Sequence, residues 1–294
     1  MAQVHDQVNE ADQAKADKIA AIIRVALDED VGDGDHTSLA TIPEGQVGKA
    51  RLLVKDEGII AGVELALKIF RAVDPHLYVD VIIPDGTFVS HQDIVFIVQG
   101  SVHSILKSER LVLNCMQRMS GIATQTQLVT KSLAHTHTKV LDTRKTTPGF
   151  RLMEKWAVEI GGGVNHRFGL YDMILIKDNH IDFAGGIVPA LEAVRRYLDL
   201  SGRDLKVIIE VRDIRELEEA LTDSIVDRVL LDNFTPSQLS EAVKIVGHRV
   251  ETEASGSITP LNAAEYAESG VDFISLGSLT HTVRNFDLSL KAFN

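Results

Sequence analysis

The sequence has a single cysteine, Cys115, among its 294 residues. One cysteine cannot form a disulfide within the chain, so a disulfide-stapled secreted scaffold is excluded and a reducing cytoplasm is indicated. The first residues, MAQVHDQVNEADQAKADK, are polar and lack the apolar segment of a signal peptide. No uninterrupted apolar run approaches the roughly 18 residues that a membrane span requires. We therefore expect a cytoplasmic protein with no membrane segment.

Positive charge is also scarce. The sequence has 30 lysines and arginines against 42 aspartates and glutamates, which gives a formal net charge of −12. Such an acidic chain argues against nucleic acid or an anionic membrane surface as the main partner. Local clusters of arginine, lysine and histidine become more informative, because they stand against this balance. The hydrophobic fraction of 45% suffices for a real core, so we expect one large domain or two modest ones.

The first part of the sequence changes from a helical to a mixed pattern. Residues 11–28 have the periodicity of an amphipathic helix, and the acidic segment DEDVGDGDHTS that follows favours a turn with a helix N-cap over a calcium loop. Strand, turn and helix patterns alternate between Lys49 and about Val102, which predicts a small α/β domain. A long helical stretch begins at about Ser108, and Ser120-Gly121 is the point where it could break.

After Thr138, short apolar strands alternate with helical segments. The strands are KVLDTRK, DMILIKDNH, LKVIIEVRD, RVLLDNF, RVETEASGS and DFISLGSLTH. This alternation predicts parallel strands joined by helical crossovers. Nearly every strand ends in polar residues, and the carboxyl ends of parallel strands are where such sheets and barrels bind ligands. A single polar strand end is common at a protein surface, but six that mix cations, acids and small residues favour a shared pocket.

A cluster of cations follows the first two of these strands. Its members are Arg144, Lys145, His166, Arg167 and Lys177. The Pro148-Gly149 turn ends regular pairing after the first two, which allows adjacent side chains to share a ligand. Three consecutive glycines before His166 suit a loop that delivers His166 and Arg167 to a pocket, although a helix cap and connector would explain the glycines as well. Because converging cations repel one another, the expected ligand carries several negative charges.

The later strands end in acids and then in small residues. Glu210 and Asp232 are candidates to bind Mg²⁺ through water and substrate oxygens, or to stabilise positive charge on a sugar; ion pairs with nearby lysines are the alternative. The backbone N–H groups of EASGS, residues 253–257, and LGS, residues 276–278, can cradle a phosphate, while tight turns would need the same small residues.

Several of these segments together resemble the quinolinate phosphoribosyltransferase family. They are LDEDVGDGDHTS, SERLVLNCMQRMSGIAT, DTRKTTPGFR, EKWAVEIGGGVNHRFGLYDMILIKDNHI, LLDNF, EASGSI and GVDFISLGSLTH. The combination of DTRKT with GGGxNHRxGLxD and IKDNH is highly specific, and the resemblance covers almost the whole chain in the expected order.

The resemblance implies an α/β fold in two domains. The first is an open α/β sandwich over residues 1–124, joined by the C-terminal segment 283–294, and the second is an incomplete, TIM-like α/β barrel over residues 125–282. It further implies a homodimer, with a higher oligomer left open, in which Arg110 of one subunit completes the partner's active site.

The implied activity is phosphoribosyl transfer from phosphoribosyl pyrophosphate to quinolinate with decarboxylation, which gives nicotinate mononucleotide. By this resemblance the cation cluster holds the pyridine dicarboxylate and phosphates, and Glu210 and Asp232 face the ribose and Mg²⁺. Lys145, Lys177, Glu210 and Asp232 are the expected catalytic residues. The residues expected at the 5-phosphate are Ser255, Gly256, Ser257, Gly277 and Ser278, with His281 close by.

Four positions depart from the family pattern, and three other functions remain open. Ser108 and Ser257 stand where the family often has glycine, Trp156 stands where it often has tyrosine, and Arg212 is a cation that the pattern does not predict. One alternative function is a related phosphoribosyltransferase acting on another small aromatic acid. The second is a barrel lyase with Lys145 or Lys177 as a Schiff base, and the third is a binding protein without activity.

Overall fold

The computed structural model describes residues 10–293, and contacts between them define two compact units. The first unit contains residues 10–124, 147–160 and 284–293, and the second contains residues 125–146 and 161–283. Residues 1–9, the start of the polar N-terminal segment, lie outside the described residues. None of the described helices has both the length and the apolar character that crossing a membrane requires.

Helices and strands alternate along most of the described chain. The helices are α1 (Glu10–Val31), α2 (His36–Thr41), α3 (Val63–Val73), α4 (Val102–Ser132), α5 (Arg151–Ile160), α6 (Asp178–Ala184), α7 (Ile187–Ser201), α8 (Ile214–Ala220), α9 (Pro236–Val246), α10 (Ala263–Ala267) and α11 (Ser278–His281). The strands are β1 (Val47–Val54), β2 (Gly58–Ile59), β3 (Tyr78–Val81), β4 (Phe88–Val89), β5 (Ile94–Ser101), β6 (Lys139–Leu141), β7 (Ile174–Ile176), β8 (Val207–Val211), β9 (Arg228–Asp232), β10 (Glu251–Ser255), β11 (Phe273–Ser275) and β12 (Leu288–Phe293).

The first unit is built on a four-stranded antiparallel sheet in the order β12-β1-β5-β3. Alternate residues of β1, including Leu52 and Val54, are buried, which is the period of a half-buried strand. Helix α3 buries Leu65 and Phe70 in the same core, and the Phe70 ring meets the Phe96 ring edge to face at 5.6 Å. The strand β12 completes the sheet beside β1, so both ends of the described part of the chain belong to this unit.

Helix α4 runs without a break through Ser120-Gly121, contrary to the interruption considered from the sequence. The Ser120 hydroxyl donates to the carbonyl of Ala61 and accepts from its N–H, so the small residue serves a close contact with the β2 region. Helix α5 packs in this unit too, because its buried Glu154 accepts hydrogen bonds from Arg118 on α4. The predicted barrel domain, 125–282, contains α5, whereas contacts group it with the first unit; the domain limits as a whole stay a prediction.

The second unit is a six-stranded parallel sheet in the order β6-β11-β10-β9-β8-β7. The strands are connected mainly by helices, as the alternating pattern predicts. An isolated bridge joins Leu141 to Val164 at the β6 edge, and no strand pairing joins β6 to β7 within residues 10–293. The predicted α/β fold, with a small antiparallel sheet and a parallel sheet forming an incomplete barrel, is confirmed.

The register of the parallel sheet brings distant residues to common levels. Glu210, Leu230 and Glu253 are partners across β8, β9 and β10, and Asp232 lies opposite Ser255 one level nearer the carboxyl ends. Such layers of inward-facing side chains are typical of α/β barrels. The carboxyl ends of the strands therefore collect acids and small residues that are far apart in the sequence.

Candidate active site

A cavity of about 610 Å³ lies at the carboxyl ends of these parallel strands, within the second unit. It is lined by nine of the residues predicted from the sequence: Arg144, Lys145, His166, Arg167, Lys177, Glu210, Asp232, Ser255 and Gly256. Two apolar side chains, Leu175 and Leu230, also face it. The cavity thus combines cations, carboxylates and a small apolar surface, as a site for a charged aromatic ligand requires.

The cations line the same cavity. Arg144 and Lys145 follow β6 and are exposed, whereas Arg167 is buried. Burial lowers the pKa of Arg167, and the positive charge of Arg144 lowers it further. Lys177 follows β7, and its backbone N–H donates to His180 Nδ1 in the first turn of α6. An anion bound among these groups would relieve their repulsion.

The glycine-rich loop before His166 is held against the edge of the sheet. Val164 donates its N–H to the carbonyl of Val140, and the buried Asp142 carboxylate accepts the N–H of His166 at 2.9 Å. Gly162 has a φ of +87°, a left-handed conformation that favours glycine. The loop therefore delivers His166 and Arg167 to the cavity, as the sequence predicts, and it does so through backbone hydrogen bonds.

Two carboxylates, Glu210 and Asp232, also line the cavity. Burial raises the pKa of Glu210, the nearby Asp232 and Asp178 charges raise it further, and Lys177 lowers it in part. The Lys177 Nζ atom lies 3.5 Å from Glu210 Oε2. Asp232 Oδ2 accepts a hydrogen bond of 2.7 Å from Asn233 Nδ2, which fixes the orientation of that carboxylate.

These carboxylates fit Mg²⁺ better than a metal that needs a complete protein cage. No group of three or more His, Cys, Asp or Glu side chains in the described part of the chain has the arrangement of a metal site. Mg²⁺ commonly uses one or two carboxylates and takes its other ligands from water and substrate phosphates. Glu210 and Asp232, both facing the cavity, supply that donor set.

Small residues form the end of the cavity beyond Asp232. Gly256 has a φ of +87°, and a Cβ there would lie 2.2 Å from Asn233 Oδ1, so the backbone approaches this side chain too closely for any residue but glycine. Ser257 also has a positive φ, +56°, and its hydroxyl donates to Asn233 Oδ1 at 3.4 Å. The loop after β10 is therefore pinned to the loop after β9.

The remaining predicted residues are placed around the cavity or away from it. Ser257, Gly277, Ser278 and His281 do not line it, although a Cβ on Gly277 would lie 2.8 Å from the Cδ atom of Lys145 and 3.1 Å from the His281 ring. Arg110 is exposed on α4 in the first unit, and its predicted role in a partner's site stays a prediction. Arg212 pairs with Asp182 and Glu216 outside the cavity.

Several residues of the site were missed by sequence reasoning. They are Thr143, Asp142, Leu175, Asp178, Leu230, Asn233, Glu253 and Ser275. For Glu253 a signal was present, because it precedes Ser255 by two positions and side chains two apart on a strand share a face. Asp142 has the same spacing from Arg144, but β6 ends at Leu141, before both residues, so alternation carries no such signal there.

Comparisons with known proteins agree over most of the chain. A family model for the C-terminal domain of quinolinate phosphoribosyl transferase matches residues 122–291, and one for the N-terminal domain matches residues 35–120. The decarboxylating quinolinate phosphoribosyltransferase 1b of Nicotiana tabacum is 47% identical over 289 residues, covering 93% of this chain and 82% of its own. The chain belongs to the quinolinate phosphoribosyltransferase family.

Solved structures of quinolinate phosphoribosyltransferase relatives support the fold of this family member. NadC from Streptococcus pyogenes has a TM-score of 0.88 and 35% identity, covering 94% of this chain and 98% of its own. The nicotinate-nucleotide pyrophosphorylase from Francisella tularensis has a TM-score of 0.87 and 38% identity, covering 94% and 96%. The family resemblance predicted from the sequence motifs is confirmed.

Glu210→Gln is expected to stabilise the protein at neutral pH while it damages the site. The raised pKa means that the folded chain holds the Glu210 proton more tightly than the unfolded chain, so ionisation reduces stability as the pH rises above the ordinary value of 4.5. The variant's gain in free energy of unfolding should therefore grow from pH 4.5 towards neutral and vanish at lower pH, as measured by urea denaturation.

Glu241→Gln is the matched control for this measurement, because Glu241 is an exposed residue on α9. Its replacement should change stability by no more than about 0.5 kcal/mol at any pH. A Glu210→Gln protein that is less stable than the parent at neutral pH would contradict the assigned electrostatics.

Proposed function

We propose that the protein transfers the phosphoribosyl group of phosphoribosyl pyrophosphate to quinolinate and releases CO₂ and pyrophosphate, forming nicotinate mononucleotide. The observation that carries the proposal is the cavity itself, which Arg144, Arg167 and Lys177 line together with Glu210 and Asp232. Family membership supports the same activity, since the curated relatives are quinolinate phosphoribosyltransferases. The step belongs to the synthesis of pyridine nucleotides.

The cation side of the cavity suits the diacid. Each guanidinium presents a planar fork that pairs with a carboxylate through two hydrogen bonds, and quinolinate carries two adjacent carboxylates. Arg144 and Arg167 are close enough for their charges to interact, so one small dianion would neutralise both. Leu175 and Leu230 provide the apolar surface for the pyridine ring.

The acid and glycine side of the cavity suits the sugar donor. Gly256, Ser255 and Ser257 offer backbone and hydroxyl groups for the 5-phosphate, while Gly277, Ser278 and His281 lie beyond them. Glu210 and Asp232 would hold Mg²⁺ together with water and substrate oxygens. When bound, Mg²⁺ supplies positive charge that neutralises the pyrophosphate leaving group.

The proposed reaction uses both the cations and the carboxylates of the cavity. The bond between ribose C1 and the pyrophosphate oxygen breaks, and its electron pair leaves with pyrophosphate, while Lys145 and Lys177 neutralise the departing charge. Positive charge develops on the ribose carbon and is stabilised by Glu210 and Asp232. The pyridine nitrogen lone pair then forms the new bond to C1 and gives a pyridinium ring.

Decarboxylation needs no further group on the protein. The bond between ring carbon 2 and its carboxylate breaks, and the electron pair stays on carbon 2, where the adjacent cationic nitrogen stabilises it. A proton from water completes the product. A Schiff-base lyase is less well supported, because such a lysine is typically desolvated, whereas the Lys177 side chain is 47% exposed and lies beside the Glu210 carboxylate.

The functional assembly we propose is a homodimer in which Arg110 of one chain enters the cavity of the other. Arg110 is exposed on α4 and lies outside the unit that contains the cavity. An additional arginine from a second chain would complete the charge balance for two multiply anionic substrates. Whether dimers assemble further is left open.

The purified protein mixed with quinolinate, phosphoribosyl pyrophosphate and Mg²⁺ should form nicotinate mononucleotide and CO₂ in equal amounts, detected by chromatography and CO₂ capture. Chelation of Mg²⁺ should abolish product formation, because the leaving group then lacks its counter-charge. Efficient turnover of nicotinate in place of quinolinate would favour the related phosphoribosyltransferase, and borohydride trapping of a carbonyl substrate would favour the lyase.

Arg144→Ala should lower kcat/KM for quinolinate by about 2–4 kcal/mol in transition-state terms, because it removes a charge-assisted pair with a carboxylate. Arg212→Ala is the matched control, since Arg212 is paired at the surface with Asp182 and Glu216 outside the cavity. Steady-state kinetics should show near-normal kcat/KM for the control. A near-normal kcat/KM for Arg144→Ala would contradict the assignment of Arg144 to the quinolinate site.

Mixed dimers should test the proposed contribution of Arg110. Arg110→Ala subunits and Lys145→Ala subunits are each expected to be inactive alone. A dimer with one subunit of each kind contains one cavity in which both residues are intact, so activity should return towards half that of the parent. Absence of rescue in mixed dimers verified by mass spectrometry would count against a shared site.

A further inference from the structure

His166 uses both ring nitrogens within the protein. Its Nδ1 atom accepts the backbone N–H of Arg167 at 2.6 Å, and its Nε2 atom lies 3.4 Å from Glu253 Oε2. An imidazole nitrogen that accepts an N–H carries no proton itself, so the proton of the neutral ring belongs on Nε2. His166 is therefore arranged to donate to Glu253 rather than to present a free N–H to a ligand.

Glu253 is buried completely beneath the cavity, and it lies between His166 and Arg228. Burial alone would raise the pKa of its carboxyl, but contacts that include the hydrogen bond from His166 and the charge of Arg228 outweigh burial and lower it. The Oε2 atom of Glu253 thus meets both His166 Nε2 and Arg228 Nη1. Its position on β10, two residues before Ser255, places it one level below the ligand-facing end of the strand.

Arg228 anchors Glu253 from the opposite side. Its Nη1 atom donates to Glu253 Oε2 at 3.0 Å, and its Nε and Nη2 atoms donate to Glu251 Oε2. The guanidinium also lies over the Phe273 ring, 4.0 Å from its centroid. With its donors and its face engaged, Arg228 is a rigid support for the carboxylate.

The same contacts fix the backbone immediately before the Arg167 side chain. The N–H of His166 is held by Asp142 at the end of β6, and the N–H of Arg167 is held by the His166 ring. The ring in turn reaches Glu253 on β10. Two successive peptide groups are therefore fixed from two different strands, immediately before the side chain of Arg167 enters the cavity.

We propose that Glu253 is a positioning residue that holds His166 in its Nε2–H form and thereby orients the Arg167 guanidinium towards the diacid. This role rests on the proposed function, because orientation of Arg167 matters only if the cavity binds an acid. His166 then acts chiefly through its neighbour and not as a cation on the substrate, which revises the role expected for it from the sequence.

The proton position can be read directly by ¹⁵N NMR of histidine-labelled full-length protein, with His166 assigned by comparison with His166→Asn. We expect Nε2 to be protonated and Nδ1 unprotonated, both without ligand and with quinolinate bound. No reaction takes place in the second sample, because the phosphoribosyl donor is omitted. A proton on Nδ1, or protons on both nitrogens with quinolinate bound, would overturn the proposal. This measurement does not depend on turnover, so its failure is distinct from failure of the proposed function.

Glu253→Gln and Glu251→Gln form a matched pair of variants. Both remove a carboxylate that Arg228 contacts, but only Glu253 contacts His166. Glu253→Gln should raise the KM for quinolinate on the order of tenfold, as expected for a lost hydrogen bond to a charged group, while the KM for phosphoribosyl pyrophosphate changes little. Its His166 spectrum should show mixed protonation, whereas Glu251→Gln should keep the parent spectrum and kinetics.

His166→Asn provides a further test, because its side-chain oxygen can replace Nδ1 as acceptor but nothing replaces Nε2. It should reproduce the loss seen in Glu253→Gln, and the double variant should add little to either. Equal effects of Glu251→Gln and Glu253→Gln, or additive losses in the double variant, would show that Glu253 acts only as a structural partner of Arg228. Thermal unfolding of each variant establishes that the proteins compared are folded.

Discussion

Mutual repulsion between the cavity cations is the constraint on which the rest of the site depends. Arg167 is only 9% exposed and the charge of Arg144 acts on it, so the cavity brings like charges together. The fold sustains this arrangement with backbone hydrogen bonds to Asp142 and with the register of the parallel strands. A small polyanion then finds its counter-charges already in place, which is the meaning of preorganisation here.

The parallel sheet and most of the cavity could be predicted from the sequence, because strands that end in charged residues meet at one edge in any α/β unit. The contacts of the buried supports could not, since Glu253 meets His166 and Arg228 from distant parts of the chain, although strand alternation places Glu253 on the same face as Ser255. The surface pairing of Arg212 depends equally on tertiary neighbours. The contact of α5 with α4 joins Glu154 to Arg118, more than 30 residues away in the chain, and no local pattern encodes it.

Positively charged side chains are unevenly distributed in this protein. The chain as a whole is strongly acidic, yet its cavity is lined by the five residues of the cation cluster as well as by carboxylates. Burial raises the pKa of Glu210, so the ionised form of this side chain is unfavourable where it stands. The proposed catalytic use of Glu210 and folding stability therefore make opposite demands on the same carboxylate.

The path of the chain between the two units has a consequence for inheritance and engineering. The polypeptide passes from one unit to the other after residues 124, 146, 160 and 283, so neither unit is a continuous stretch of sequence. A gene fragment that begins at residue 125 would carry α5 away from the residues that bury it, and one that ends at residue 124 would lack the β12 edge of its sheet. Neither unit can therefore be exchanged between proteins as one continuous segment of sequence.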